Sequence, residues 1–187
     1  FQYYSNSDVN EFTGKKQHIS ISTEQEVAIG LQSAPQMAQQ HGGLYPDQKY
    51  QEFVDMVGQK LVSNSVAKET EYKYDFHLLK DPETINAFAL PGGQCFITYA
   101  LFSQLTEAQL AGVLGHEIGH VTARHSVRQY SQSQLMGVLS TAIEINSGRT
   151  AGNLANLASG ALLSGYGRDM ELEADDLGAQ YIYQEGY

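Results

Sequence analysis

The sequence predicts an α+β domain, mainly helical, with a small antiparallel sheet beside its best-defined helix. Three observations carry this. Apolar residues recur at helical spacing in several segments, three short β-favouring runs cluster between residues 74 and 99, and one helix after residue 106 carries a full set of start signals. At 187 residues the chain is long enough to bury about two-thirds of its unfolded surface around one core.

In chain order, residues 1–22 are polar with a turn signal at Thr13-Gly14-Lys15-Lys16 and are expected to form an N-terminal arm lying over a domain of residues 23–187. Ser22-Thr23 followed by Glu24 and Glu26 marks a helix start, with Val27, Leu31 and Ala34 as its apolar stripe. After a loop at Gly42-Gly43 and Pro46-Asp47, a second helix is expected over 47–63, with the stripe Tyr50, Phe53, Val54, Val57 and Leu61. Tyr74 to Lys80, Ile85 to Leu90 and Gln94 to Tyr99 read as strands, the last two joined by a turn at Pro91-Gly92-Gly93. The helix over 106–130 opens on Thr106 as N-cap with Gln109 at N3, and Leu105 and Leu110 form a hydrophobic staple. Residues 134–165 are rich in Gly, Ala, Ser and Leu, with Glu144 and Arg149 their only charges, and predict two apolar helices. Burial or a partner segment explains them better than a membrane surface, because interfacial helices carry a basic face. A last helix is expected from Arg168 to about Gln184.

Composition narrows the function. Twenty-one acidic against 11 basic residues give a formal charge of −10, which would repel a nucleic acid. A single cysteine, Cys95, excludes an internal disulfide framework and any Cys-rich metal site. It reads as a small apolar strand residue. No segment has the ~18 unbroken apolar residues of a membrane span. The chain opens on Phe1 rather than Met, which points to a processed or trimmed N-terminus.

His116-Glu117-Ile118-Gly119-His120 is an H-E-x-x-H sequence inside the best-capped helix. Residues i and i+4 lie on one helical face, so the two imidazoles can meet one Zn²⁺. Glu117 can reach a water at that ion without being a ligand, the position of a general base. Gly112, Gly115 and Gly119 each cost about 1 kcal/mol in a helix interior, so something is expected to pack closely against this helix.

A catalytic zinc needs a third protein ligand. A metzincin pattern would place Gly at 123 and His at 126, where this chain has Ala123 and Ser126. His125 lies about 180° from His116 on a straight helix and cannot join the same ion. Glu144 stands alone in an apolar context. Glu171 is favoured: it shares a helical face with Asp175, so one carboxylate can bind metal while the other accepts a hydrogen bond from a ligand imidazole. Glu173 points about 200° away. His77 reads as a sheet residue, His18 and His41 lie in polar contexts that mark neither as a metal ligand, and nothing in the spacing selects Tyr166 or gives Arg168 a role.

HEIGH followed by ELEAD, with Asn86 to Gly93 ahead of them and Thr13-Gly14-Lys15 and Ile29-Gly30 near the start, resembles the gluzincin metallopeptidases of the CAAX prenyl endopeptidase, HtpX, Oma and BepA type. The resemblance implies a zincin-like fold and one zinc ion held by His116, His120 and Glu171. It implies Glu117 as general base and Asp175 as the partner of a ligand imidazole. It further implies that the strand at Gly93, Gln94, Cys95 and Phe96 is the sheet edge where a polypeptide substrate adds as a strand. An exported, periplasmic protein of envelope quality control is implied too, one that stops short of its family's C-terminal helices. Two other readings stand beside the endopeptidase. One is a latent or plugged metallopeptidase acting as a chaperone or assembly factor. The other is a non-haem iron oxygenase, since two His and one carboxylate also suit ferrous iron.

Overall fold

The computed structural model describes residues 7–19, 21–132 and 165–187. The chain opens on a hairpin of β1 (Ser7–Val9) and β2 (Lys16–His18), paired antiparallel. Asn10 shapes its turn by accepting from the backbone N–H groups of Phe12 and Thr13, and Gly14 takes the left-handed conformation.

Helix α1 (Thr23–Gln40) starts at a capping box between Ser22 and Gln25. Its buried face is Glu26, Gly30, Ser33 and Met37, not the expected stripe of Val27, Leu31 and Ala34, and Leu31 is exposed. The reason lies at Gly30, which meets the Pro91 carbonyl so closely that a Cβ would overlap it. Close approach thus outranks hydrophobicity in choosing this face. Helix α2 (Gln48–Ser63) is capped by Asp47 and buries Val54, Val57, Gly58 and Leu61. A 3-10 turn follows at Val66–Glu69.

The sheet holds β3 (Asp75–Leu79), β4 (Ala87–Ala89) and β5 (Gln94–Thr98) in the order β3-β5-β4. It is mixed rather than antiparallel: β4 and β5 form the expected hairpin, but β5 inserts parallel to β3. All five β5 residues are buried because helices cover both of its faces. Cys95 and Ile97 join the main core with Val54, Leu61, Leu114 and Ile118, whereas Phe96 packs with Met37, Leu79 and Leu90 on the α1 side.

The sheet's two edges are unequal. Residues 43–45 run along β3, where Tyr45 donates to Leu78 and Lys80 donates to Gly43. On β4, Leu90 N–H donates to the Gln94 carbonyl and the Asn86 carbonyl accepts from Thr98. Antiparallel alternation therefore turns the backbone groups of Ala87 and Ala89 away from β5. No backbone partner covers those groups among the described residues.

After the short helix α3 (Tyr99–Phe102), helix α4 (Glu107–Thr122) starts at the predicted Thr106–Gln109 capping box. It does not run on to residue 130. Ala123 ends it, Arg124 takes the left-handed conformation at φ 59°, and a new helical stretch covers 125–132. Two buried amides of the N-terminal hairpin satisfy the helix end, Asn10 donating to the Thr122 carbonyl and Gln17 to that of Ala123. Helix α5 (Arg168–Glu185) closes on Gly186 in the left-handed conformation. The apolar helices expected over 134–165, and Glu144 with them, fall outside the described residues apart from Gly165. No helix among the described residues is long and apolar enough to cross a membrane.

Candidate metal centre

The site forms where α4 and α5 touch, and small residues bring them together. A Cβ on Gly119 would lie 2.8 Å from the Ala174 carbonyl oxygen, and one on Gly178 would lie 2.8 Å from the His116 backbone nitrogen. The glycines at 115, 119 and 178 thus let two backbones approach as larger side chains could not. Among the described residues Gly112 has no such neighbour.

This contact sets His116 and His120 of α4 against the first turns of α5. The nearest nitrogen and oxygen atoms of His116, His120 and Glu171 all lie within 4.8 Å of one another. Glu171 Oε2 is 3.4 Å from His116 Nε2, and its Oε1 is 3.8 Å from His120 Nε2. The two Nε2 atoms are 2.9 Å apart. Each ring is held from behind: His116 Nδ1 by Asp175 Oδ1 at 2.8 Å and His120 Nδ1 by His125 Nδ1 at 2.8 Å. When both Nδ1 positions donate, the two Nε2 lone pairs confront each other, an arrangement that a shared cation relieves. Tetrahedral zinc with nitrogen at 2.0–2.1 Å would set its ligand atoms about 3.3 Å apart, which the distances above bracket. The residues present therefore fit a zinc ion.

Electrostatics agree. Burial, then the charges of His116 and His125, hold the His120 pKa down at about 2, so its imidazole is neutral. Burial and the neighbouring Glu171 charge push Glu117 up to about 8. Glu117 is only 7% exposed. A divalent cation beside it would draw that value down again.

Two residues set aside by angle on a straight helix turn out to stand behind the site. The break at Arg124 swings His125 against His120, and His125 Nε2 lies 3.2 Å from Glu173 Oε2. Burial pushes Glu173 up, but hydrogen bonds from His125, Lys15 and Arg128 outweigh it and hold its pKa low. Tyr166 stacks on His120 at 4.2 Å and its hydroxyl pairs with Ser126. Only a sign of the helix break could have revealed this set, and neither Ala123 nor Arg124 advertises one.

The expected sheet edge is elsewhere. Gln94, Cys95 and Phe96 are buried in the central strand, and Gly93 is buried in the turn that leads into it. Gln94 is engaged by His77 and by the Lys73 carbonyl, and Phe96 stacks between His77 and Phe88. A peptide cannot add to β5, because β3 and β4 occupy both of its hydrogen-bonding sides. Among the described residues the free edge belongs to β4, which packs against α4.

Residues 48–187 match the model of peptidase family M48. The chain is 31% identical to a beta-barrel assembly-enhancing protease of Yersinia pestis, over 90% of the chain and 36% of that protein. It is 30% identical to a metalloprotease of Escherichia coli (strain K12), over 68% of the chain and 50% of the relative. It is 32% identical to a mitochondrial metalloendopeptidase of Schizosaccharomyces pombe, over 71% and 39% respectively. The chain thus spans between about a third and a half of the length of these relatives.

Proposed function

Because the chain belongs to peptidase family M48, we propose that it is a zinc-dependent endopeptidase whose catalytic unit is residues 23–187. The observation that carries the reading is the convergence of His116, His120 and Glu171 beside the buried Glu117. Zinc at this position would act as a Lewis acid on the scissile carbonyl and lower the pKa of a water from 15.7 towards 7.

The chain's own residues do the rest. Asp175 keeps the His116 imidazole turned so that its Nε2 would face a bound ion. Glu117 takes the proton from the attacking water and passes it to the leaving amine. The substrate lies extended along β4, with the outward backbone groups of Ala87 and Ala89 forming strand hydrogen bonds to it. Such bonds need no particular side chain, which suits a protease acting on unfolded polypeptides. With one relative named a beta-barrel assembly-enhancing protease and another a metalloprotease, the proposed setting is the cell envelope, and the proposed substrates are misassembled envelope proteins. The buried Glu117 favours hydrolysis over the iron-oxygenase reading of the same three ligands.

Glu117→Gln and Glu171→Ala test this together. Glu117→Gln should keep zinc by metal analysis while peptide hydrolysis falls roughly 10²–10⁴-fold. Glu171→Ala should lose the metal itself. Full activity in the first variant, or wild-type zinc occupancy in the second, would sink the assigned roles.

A further inference from the structure

We propose that His125, anchored by Glu173, is a positioning residue for the metal centre that fixes His120 in the tautomer leaving Nε2 open to a cation. The inference rests on the zinc reading above but makes a separate claim about this chain's own hydrogen bonds. It starts from backbone geometry. Five residues along a straight helix correspond to about 500°, so the rings of His120 and His125 would point roughly 140° apart. They meet at 2.8 Å only because Arg124 is left-handed. A non-glycine residue keeps that conformation where its surroundings over-determine it. Here Arg124 is held by Glu26 and the Ile21 carbonyl, and the helix end before it by Asn10 and Gln17.

The hydrogen-bond logic then runs one way. Glu173 Oε2 accepts from Lys15 and Arg128, each at 3.1 Å, and from His125 Nε2 at 3.2 Å. Neutral His125 donates a hydrogen bond from Nε2–H to the carboxylate, keeps its proton there and offers a lone pair at Nδ1. The facing His120 Nδ1 must therefore be the donor, and its Nε2 is left as a lone pair aimed at His116 Nε2 and Glu171. His125 is fully buried and Glu173 is 6% exposed, so water does not compete for these bonds. His116 is served differently, by the half-exposed pairing with Asp175. The relay thus makes the buried imidazole the pre-set half of the site. Lys15 ties it to the N-terminal hairpin.

The experiment has two arms on the full chain. In the unmutated, metal-free protein, ¹⁵N NMR of the imidazoles should show His120 protonated at Nδ1 and bare at Nε2, and the opposite tautomer would overturn the proposal. Zinc affinity is then measured by competition with a chelating dye. His125→Leu, which removes the acceptor, should weaken zinc binding roughly 10–100-fold. His125→Gln can accept from His120 and donate to Glu173, and should keep most of the affinity. Wild-type affinity in His125→Leu overturns the proposal, and so does failure of His125→Gln to rescue a folded protein. If His125→Leu does not fold by circular dichroism, the tautomer measurement decides. Failure of the unmutated chain to bind zinc overturns the metal reading instead and leaves the His120 tautomer to judge His125.

Discussion

Two imidazoles one helical turn apart differ in what stands behind them. His116 leans on Asp175, a carboxylate open to solvent, and His120 on a buried histidine. The first arrangement was legible in the sequence, because the i, i+4 spacing of Glu171 and Asp175 mirrors that of the histidines. The second was not, because it depends on one left-handed residue, Arg124, which carries none of the usual signs of that conformation. A separate residue-scale test lies at Asp81. Backbone N–H groups of Thr84 and Glu83 and the His41 ring converge on its carboxylate and hold its pKa below the usual range. A carboxyl depressed in the folded state stabilises above its unfolded pKa and loses that stabilisation as pH falls through the folded value. Asp81→Asn should therefore lower the thermal midpoint at pH 7, and the gap from wild type should close progressively below about pH 4. A gap that widened on acidification would contradict the assigned contacts.

Elements were more legible than their arrangement. The starts of α1, α2 and α4 follow from Ser22, Asp47 and Thr106, whose caps are local chemistry. The three strands were also readable, but not their order. Alternation along a strand says which residues share a face and nothing about which neighbour inserts where, so the sequence alone makes β5 look like an edge when it is the central strand. The glycines of α4 signalled close packing, and the structure resolves which of them matter and adds Gly178 of the facing α5. Gly178→Val forces a side chain onto the His116 backbone, which cannot swing aside, and should cost roughly 1–3 kcal/mol in chemical denaturation. Gly112→Ala meets nothing within 4 Å among the described residues and should be neutral or stabilising by up to about 1 kcal/mol. Equal effects in the two variants would show that helix propensity, not close approach, explains these positions.

For the whole molecule, a metal that ties α4 to α5 should also stabilise the fold. Zinc at a hundred times its dissociation constant adds about 2.7 kcal/mol, so chelation should lower the thermal midpoint in the wild type and leave Glu171→Ala unchanged. An identical chelator response in both proteins would place the metal elsewhere. The sequence marked the N-terminal residues as an arm with a turn, but not what the arm holds, since the carbonyls it satisfies lie more than a hundred residues away. That distance has a consequence for the order of folding. Asn10 reaches Thr122 across 112 positions and Gln17 reaches Ala123 across 106. Contacts of such long sequence separation close large loops and are slow to form, since loop closure must precede their reward. The end of α4, and with it the turn that presents His125, is therefore expected to be completed late. A chain still emerging from synthesis, or one whose ends have come apart, holds its HEIGH sequence without an assembled site, so the proposed peptide cleavage would await the finished tertiary structure.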